Sequence, residues 1–289
     1  MKKNIIVLGI SGMLGSAIFK ILSKNENFNV YGTLKNKYFL NFFNKNTINK
    51  IIINVNALDD DAIKRAIEST SPFLIINCIG LIKQIKESTD ALTTIPINSL
   101  LPHKLEKICS QNNIKLLQIS TDCVFSGSKG NYYENDFPDC SDLYGRSKLL
   151  GEVCDSKFAL TLRTSIIGHE LKGKFSLLDW YLGQSQPING YKNAIFSGLT
   201  TLELANIIER FIVPKIEMCG LYHVASSPIS KYDLLNIIAK TYNKKIQIKP
   251  CFEPIINRSL NADKFNVETG YKCPDWNSLI ASMYEDFYR

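Results

Sequence analysis

A glycine-rich turn near the start of the chain constrains the fold more than any other sequence feature. The run GISGMLG places Gly9, Gly12 and Gly15 between an apolar strand-like segment and a segment with helical periodicity. In such a turn the first glycine permits the tight bend and the second lets a pyrophosphate approach the backbone. The third lets the helix pack closely on the sheet, and the helix N-terminus supplies amide donors. The turn therefore predicts a dinucleotide-binding strand–helix unit.

The pattern of apolar segments extends this unit into a larger α/β fold. Strand-like runs are found at 4–10, 29–34, 51–57, 73–80, 115–121 and 158–168. Helical patterns separate them, and further helices are predicted from about Asn98 to Asn112, over 200–213 and over 230–243. Alternating strands and helices are typical of a Rossmann-type, doubly wound parallel sheet.

The character of the sequence changes after Gly168, where glycine and aromatic residues increase and the alternation weakens. We therefore predict a dinucleotide-binding Rossmann domain that carries the catalytic residues over residues 1–168. Residues 169–289 are predicted to form mainly a smaller, substrate-binding lobe, with some segments returning to the first domain.

Composition excludes several classes of protein but selects none. Apolar residues make up 45% and charged residues 21%, and the net charge of +7 is spread along the chain. That charge suits an anionic small molecule as well as nucleic acid. The 8 cysteines lack metal-ligand spacing, so we predict reduced thiols and no metal site. No apolar segment is long enough to span a membrane, and we predict a cytoplasmic protein.

The end of the second predicted strand indicates which dinucleotide binds. Sheets that bind NAD usually carry an acid there for the ribose 2′-hydroxyl. The sequence VYGTLKNK instead contains Lys35 and Lys37, and no acid lies between Glu26 and Asp59. Lys35 is therefore predicted to meet a 2′-phosphate, which favours NADPH, with NADH as the alternative.

The helical segment DLYGRSKLLGE carries Tyr144 and Lys148 four residues apart, on one face of a helix. Spacing alone is not specific, because Tyr31 and Lys35 repeat it at a strand end. What distinguishes the later pair is Thr121, at the carboxyl end of a predicted strand, where ligands of such sheets gather. A nearby Lys⁺ is expected to lower the tyrosine pKa and suit it to acid–base work.

Several motifs together resemble a known family. The segments GISGMLG, INCIG, ISTDCVFSGSKGNYYENDFPDCSDLYGRSKLLGE and LRTSIIG are similar to those of the extended short-chain dehydrogenase/reductases. Within these, the chain resembles the RmlD-like group of sugar-nucleotide reductases, named after dTDP-4-dehydrorhamnose reductase. The resemblance is strong over residues 1–168 and looser beyond, through FSGLTTLELANII and ADKFNVETGYKCPDW.

The resemblance implies a catalytic triad of Thr121, Tyr144 and Lys148, with Asn98 supporting it from the neighbouring helix. The cofactor contacts that it implies are Gly9, Ser11, Gly12, Met13, Leu14, Gly15, Asn56, Asn77, Gly80 and the catalytic Tyr144 and Lys148. At position 56 the family often carries an aspartate, which is asparagine here.

The resemblance also implies a reaction, the NAD(P)H-dependent reduction of the C4 ketone of a nucleotide-linked 4-keto-6-deoxyhexose. Such sugars are precursors of bacterial surface polysaccharides. The substrate is dTDP-4-dehydrorhamnose or a UDP-2-acetamido-2,6-dideoxy-4-hexulose, and the sequence does not separate them. Two alternatives remain: a catalytically silent, NADP-binding regulatory subunit, and a sugar-nucleotide epimerase or dehydratase. Dehydratases continue Thr-Asp-Glu where this chain has Thr121, Asp122 and Cys123, which disfavours water elimination.

The substrate contacts are predicted from residue type and position. Asp122 and Cys123 follow Thr121 at the strand end, and Phe175 and Trp180 are aromatic residues of the second lobe. Arg258 and, in the same segment, Lys264 offer charges for a nucleotide diphosphate. The predicted partners are thus this substrate and, as an option, a second copy of the chain, not nucleic acid or a membrane.

Overall fold

A parallel sheet of seven strands forms the centre of the structure, a computed structural model that describes residues 2–83 and 89–288. The strands of the chain are β1 (Lys3–Leu8), β2 (Phe28–Thr33), β3 (Ile51–Ile52), β4 (Leu74–Asn77), β5 (Lys115–Thr121), β6 (Ala159–Thr164), β7 (Ile166–Ile167), β8 (Ile188–Tyr191), β9 (Ala194–Phe196), β10 (Leu199–Thr200), β11 (Gly220–His223), β12 (Ile229–Ser230), β13 (Ile248–Cys251) and β14 (Ile256–Asn257). The central sheet has the order β11-β6-β5-β4-β1-β2-β3.

The helices cover both faces of this sheet. They are α1 (Met13–Leu22), α2 (Asp60–Thr70), α3 (Ala91–Ile95), α4 (Leu101–Asn112), α5 (Leu143–Leu150), α6 (Leu177–Leu182), α7 (Thr201–Ile207), α8 (Lys231–Thr241), α9 (Asp263–Thr269) and α10 (Trp276–Tyr288). Ile18 and Phe19 of α1 belong to the apolar core on one face, and Ile63 of α2 and Leu105 of α4 to the core on the other. The predicted fold class, a doubly wound parallel sheet, is confirmed.

The strand order reverses between β1 and β4, which both pair in parallel with their neighbours. In open α/β sheets ligands bind at such a switch point, outside the carboxyl ends of the strands. The glycine turn follows β1 and Thr121 ends β5, so both lie on this edge of the sheet.

Several elements differ from the sequence-based expectations, among them the short strands β8, β9 and β12–β14, which were not predicted. The strand expected over 51–57 contains only Ile51–Ile52, and Asn54 beyond it has a positive φ of 62°. The helix expected from about Asn98 begins at Ala91 and continues into α4 through a π-helical turn at Pro96–Leu100. Strand β11 at the sheet edge was not predicted.

The second half of the chain forms small sheets and also returns to the first. Strand β11 pairs with β6 in the central sheet, and α7 packs on α1. The remaining short strands form a three-stranded sheet, β12-β9-β14, and the pairs β13-β8 and β10-β7. A bridge between Tyr132 and Leu260 joins this region to the loop after β5. Within the described residues no helix is both long and apolar enough to cross a membrane.

Candidate active site

The glycine turn is shaped by contacts that leave no room for side chains. Gly9 has a φ of 81° and its amide donates to Oγ1 of Thr33 at 3.0 Å. A Cβ at Gly15 would overlap the carbonyl oxygen of Gly9, so α1 packs directly against the turn. These are the bend and the close helix approach that the sequence predicted.

The N-terminus of α1 fits an anionic group. Gly12 caps the helix without a side-chain hydrogen bond, and the first turn contains no acid. Gly12 is exposed and Ser11 half-buried, whereas the Leu14 side chain is buried in the core. The unpaired amides of a helix start favour phosphate oxygens. Of the predicted turn residues, Leu14 can thus contribute only its backbone to a ligand.

Gly15→Ala is expected to impair both folding and dinucleotide binding. The added Cβ meets the backbone of Gly9, which cannot rotate away, so a cost of about 1–3 kcal/mol is expected. Urea unfolding and NADPH titration by fluorescence measure the two effects. As a control, Gly270→Ala also costs stability, because Gly270 has a φ of 74°, but its Cβ meets no atom within 4 Å. It should therefore lower stability and leave NADPH affinity unchanged. Wild-type NADPH affinity in Gly15→Ala would contradict the role of this turn.

Thr121 ends β5 with its side chain buried at the sheet edge. Its hydroxyl accepts a hydrogen bond from the Cys123 amide at 3.1 Å and lies 3.1 Å from Oδ1 of Asp122, to which it donates. These contacts fix the hydroxyl at the carboxyl edge of the sheet, as predicted for this residue.

Helix α5 holds Tyr144 beside this strand end. Asp142 caps the helix by accepting from the Gly145 amide at 2.9 Å. A Cβ at Gly145 would overlap the carbonyl oxygen of Cys123, so the helix approaches the strand end closely. The Thr121 side chain lies close enough to the Tyr144 phenol to lower its pKa. The two predicted catalytic hydroxyls are therefore brought together.

The structure does not support the expectation that Lys148 lowers the pKa of Tyr144. Burial raises the pKa of Tyr144 above its ordinary value, and the nearby Cys123 raises it further, while the Thr121 side chain acts in the opposite direction. The prediction of a lowered tyrosine pKa was wrong, because desolvation of the phenolate is the largest effect on this group. Tyr144 is held as a neutral phenol that carries a proton.

Lys148 is buried one helical turn beyond Tyr144. Its ammonium donates to the carbonyl oxygen of Ile119 on β5 at 2.7 Å. Burial lowers the pKa of Lys148 to about 8, and Glu152 and Cys78 oppose this effect. Because the residue stays charged at neutral pH, the site contains a buried cation next to a neutral phenol.

Asn98 and Asn77 support the loop that faces Lys148. Asn98, in the π-helical turn, accepts from the Leu81 amide at 2.9 Å and donates to Oγ of Ser147 at 3.1 Å. Asn77 is buried and bonded to Gln118 and to the Ile79 amide, so its polar atoms are occupied within the protein. Gly80 is exposed, and a Cβ there would lie 3.8 Å from Nζ of Lys148. Gly80 therefore lies beside Lys148, whereas Asn77 fixes the loop.

The remaining predicted cofactor residues lie beyond the ends of β2 and β3. Lys35 and Lys37 are both exposed and follow β2, whose parallel neighbour β1 leads into the glycine turn. Asn56 is half-buried, and its side chain accepts from the Leu58 amide at 3.3 Å. Met13, at the start of α1, lines a cavity of about 480 Å³ beside Phe43 and His169. The positions of Lys35 and Asn56 are compatible with an adenosine-binding edge.

Three of the predicted substrate residues meet next to Thr121. Arg258 donates to the carbonyl oxygen of Phe125 at 2.8 Å and lies 3.9 Å from Sγ of Cys123. Burial raises the pKa of Asp122, and Arg258 opposes this. Burial and Asp122 also raise the pKa of Cys123 to about 12. The arrangement combines a cation, a buried carboxyl group and a protonated thiol.

Two other predicted substrate residues lie in a different segment. Phe175 is 55% exposed and Trp180, on α6, is 38% exposed. Over the described part of the chain, no hydrogen bond or ring contact joins either one to Thr121, Tyr144 or Lys148. Lys264 donates to the Leu221 carbonyl at 2.7 Å and lies over the Tyr222 ring. Its ammonium is thus engaged on β11.

A buried group that the sequence analysis did not single out also adjoins this site. Glu152 pairs with Arg163 and accepts from Ser120. The only indication in the sequence was that Glu152 lies four residues after Lys148, within the segment DLYGRSKLLGE. Its partners lie on other segments of the chain and could not be inferred from spacing.

The fold and these residues define a Rossmann-type α/β protein with a Thr–Tyr–Lys set at the carboxyl edge of its sheet. The chain matches the family model of the RmlD substrate binding domain over residues 2–289 and belongs to that family. The predicted resemblance is confirmed.

Two curated relatives differ in activity. The dTDP-4-dehydrorhamnose reductase of Aggregatibacter actinomycetemcomitans is 27% identical over 240 residues, which cover 80% of this chain and 76% of the reductase. The methionine adenosyltransferase 2 subunit beta of Danio rerio is 30% identical over 152 residues. That match covers 52% of this chain and only 42% of the subunit.

Solved structures share the fold over the whole chain. The dTDP-4-dehydrorhamnose reductase from Bacillus anthracis str. Ames, in complex with NADP, has a TM-score of 0.80 at 19% identity and covers 99% of this chain and 100% of that one. The dTDP-4-dehydrorhamnose reductase from Yersinia enterocolitica has a TM-score of 0.76 at 23% identity, with coverage of 99% and 100%. At these identities the similarity concerns the fold.

Proposed function

We propose that this protein is an NAD(P)H-dependent reductase of the C4 ketone of a nucleotide-linked 4-keto-6-deoxyhexose. The observation that carries the proposal is the meeting of Thr121, Tyr144 and Lys148 at the switch-point edge of a sheet whose first turn fits a dinucleotide. Membership of the RmlD family and the similarity to a dTDP-4-dehydrorhamnose reductase support the same reaction.

Each residue of the site has its own role in the proposed ketone reduction. A bound NADPH supplies the hydride. Tyr144, held as a phenol by its raised pKa, donates its proton to the oxygen that becomes negatively charged. The Thr121 hydroxyl would turn its one proton from Asp122 to the same oxygen. The Lys148 cation stabilises the tyrosinate that results and would also bind the ribose of the cofactor. The exposed start of α1 and Gly80 would hold the rest of the cofactor.

Lys35→Ala is expected to weaken NADPH binding by about tenfold and leave NADH binding nearly unchanged. The ammonium is exposed beyond β2, and removal of one ion pair to a 2′-phosphate costs on the order of 1 kcal/mol. Fluorescence titration with both dinucleotides measures the ratio. Lys45→Ala, on the same loop, serves as the charge-matched control. Equal effects on the two dinucleotides would refute the role of Lys35 in the preference for NADPH.

The substrate is best tested with the two candidate sugars. Purified protein is mixed with NADPH and either dTDP-4-dehydrorhamnose or UDP-2-acetamido-2,6-dideoxy-4-hexulose, and absorbance at about 340 nm follows the oxidation of NADPH. The Arg258–Asp122 region, next to Thr121, supports binding of a nucleotide diphosphate sugar at this edge. Absence of turnover with both sugars and with a wider panel of 4-keto nucleotide sugars would overturn the proposed reaction.

A second candidate function is that of a regulatory subunit that binds NADP without turnover. The similarity to methionine adenosyltransferase 2 subunit beta supports it, although the matched region is less than half of that protein. Tight NADPH binding without turnover over the sugar panel is the result that would favour this function. The intact Thr121–Tyr144–Lys148 set supports the reductase.

The state of Cys123 weighs against a dehydratase. Water elimination needs a carboxylate base at this position, and the Cys123 thiol has a pKa raised to about 12. A protonated thiol is a poor base. An epimerase would return the hydride to the same sugar, so net consumption of NADPH in the assay separates a reductase from an epimerase.

We also propose a cytoplasmic location. As a further option we propose a homodimer, and sedimentation of the purified protein tests this oligomeric state.

A further inference from the structure

Glu152 has a more elaborate set of partners than its place after α5 would suggest. Its carboxylate forms two hydrogen bonds with Arg163, at 2.8 and 2.7 Å, and accepts a third from the Ser120 hydroxyl at 2.6 Å. The side chains of Glu152 and Arg163 are each only 4% exposed. Buried ion pairs of this kind recover little net stability because both charges lose their hydration. The placement of the pair therefore suggests a purpose other than stability.

The partners of Glu152 connect the catalytic elements to each other. Ser120 directly precedes Thr121 on β5 and is the register partner of Arg163 on β6. The Glu152 amide donates to the Leu149 carbonyl at 3.1 Å, which continues the last turn of α5. One carboxylate thus joins the strand end that carries Thr121 to the helix that carries Lys148.

The Lys148 ammonium is surrounded mainly by neutral groups. The Ile119 carbonyl accepts its hydrogen bond, and the Gly80 turn and Asn98 lie next to it. Cys78, at the end of β4, has a pKa raised to about 12 by burial, so its thiol is neutral at physiological pH. Glu152 is the group that most opposes the effect of burial on Lys148. An opposite charge in a desolvated site favours the charged form of its neighbour.

The other titratable groups near this network do not change this balance. His223 on β11 lies 3.4 Å from Arg163, and burial together with Arg163 lowers its pKa to about 4. Burial and Glu152 raise the pKa of the Cys154 thiol to about 11. Both groups are therefore neutral at physiological pH. Arg163 neutralises part of the Glu152 charge, and Ser120 orients the carboxylate without adding charge.

We propose that Glu152 is a positioning residue of the active site: its buried carboxylate keeps the Lys148 ammonium charged and aligns it with the strand end that carries Thr121. Catalysis by Tyr144 needs this cation, so the consequence for turnover rests on the reductase function proposed above. The effect on the charge and alignment of Lys148 does not depend on that function.

Glu152→Gln tests the proposal directly. Titration of the lysine ¹³Cε resonances, with the Lys148 signal identified by its absence in Lys148→Met, is expected to give a midpoint near 8 in the wild-type protein. The midpoint should fall by about one pH unit or more in Glu152→Gln. Because the charged form is the active one, the basic limb of kcat/KM should move to lower pH by the same amount. Turnover should recover towards that of the wild type near pH 6. A variant with a distorted fold would instead show reduced turnover at every pH.

A matched control and a second variant make the result decisive. Glu106 accepts from the Ser156 hydroxyl at 2.7 Å on α4, so Glu106→Gln removes a comparable carboxylate and should leave the Lys148 titration unchanged. If Glu152→Gln does not fold because Arg163 is left unpaired, the double variant Glu152→Gln/Arg163→Met removes both charges. Because the loss of the Arg163 cation offsets part of the effect, this variant should show a downward shift that is smaller than that of the single variant.

Three results would overturn the proposal: an unchanged Lys148 midpoint, an equal loss of turnover at every pH, or failure of both variants to fold while Glu106→Gln folds. Absence of turnover in the wild-type protein would instead refute the reductase function, and the lysine titration would still decide the role of Glu152.

Discussion

Tyr144→Phe is expected to lower kcat by about 10²–10⁴-fold, the range of a general acid, and to leave NADPH affinity nearly intact. The substitution removes the phenolic proton and keeps the aromatic ring. Because burial holds the Tyr144 pKa above its ordinary value, the wild-type residue carries its proton throughout the neutral range. The proton donor is thus lost at every pH, and no change of pH should rescue the variant.

Stopped-flow and steady-state assays of NADPH oxidation measure this loss, and fluorescence titration measures the affinity. Tyr31→Phe provides the control, because Tyr31 and Lys35 have the same spacing as Tyr144 and Lys148. Tyr31 lies in β2 and pairs with Ile6 of β1, so Tyr31→Phe should turn over like the wild type. Near-normal turnover of Tyr144→Phe would end the assignment of Tyr144 as the acid, whatever the control gives.

The sequence predicted the elements that have strong local patterns. The strands β4, β5 and β6 each lie within a predicted apolar run, and β1 and β2 each begin one residue before theirs. Strand β11, with the sequence GLYH, is four residues long and has no periodicity, and its place beside β6 depends on the rest of the sheet. A short strand at a sheet edge is defined by its neighbour, which a sequence pattern does not contain.

Proline explains the misplaced helix start. Pro96 predicts that a helix begins after it, because a proline in a helix interior loses a hydrogen bond and clashes with the preceding turn. Here the chain widens into a π-helical turn at Pro96–Leu100, so α3 and α4 are continuous. The turn contains Asn98, which holds the loop beside Lys148. A local departure from ideal helix geometry thus coincides with a supporting residue of the site.

The catalytic set could be predicted from motifs, but its electrostatics could not. Residue type and spacing placed Thr121, Tyr144 and Lys148 together, and the structure brings them to one edge. The direction of the Tyr144 pKa depends on how deeply the phenol is desolvated, which only packing determines. Glu152 could not be identified from the sequence for the same reason, because packing brings it to its partners Ser120 and Arg163 on two neighbouring strands.

Lys148→Ala is expected to reduce both turnover and cofactor affinity. The ammonium is fixed by the Ile119 carbonyl beside Gly80, and in the proposed mechanism it stabilises the Tyr144 phenolate and binds the ribose. Loss of a buried charged hydrogen bond to the cofactor costs about 1.5–3 kcal/mol, equivalent to about 10- to 100-fold in the NADPH dissociation constant. Calorimetry at neutral pH measures the affinity. Lys64, which pairs with Glu68 on the exposed face of α2, provides the control, and Lys64→Ala should change neither quantity.

The stability of Lys148→Met separates function from structure. The Lys148 pKa of about 8, below its ordinary 10.5, means that the folded protein holds the proton less tightly than the unfolded chain. The cost of the buried charge is therefore on the order of 3 kcal/mol below about pH 8 and declines as the pH rises towards 10.5. Removal of the charge should leave the protein at least as stable as the wild type at pH 7, while activity is lost. Thermal unfolding at pH 7 measures this; a variant that loses stability and activity in parallel, with unchanged NADPH affinity, would make Lys148 a structural residue instead.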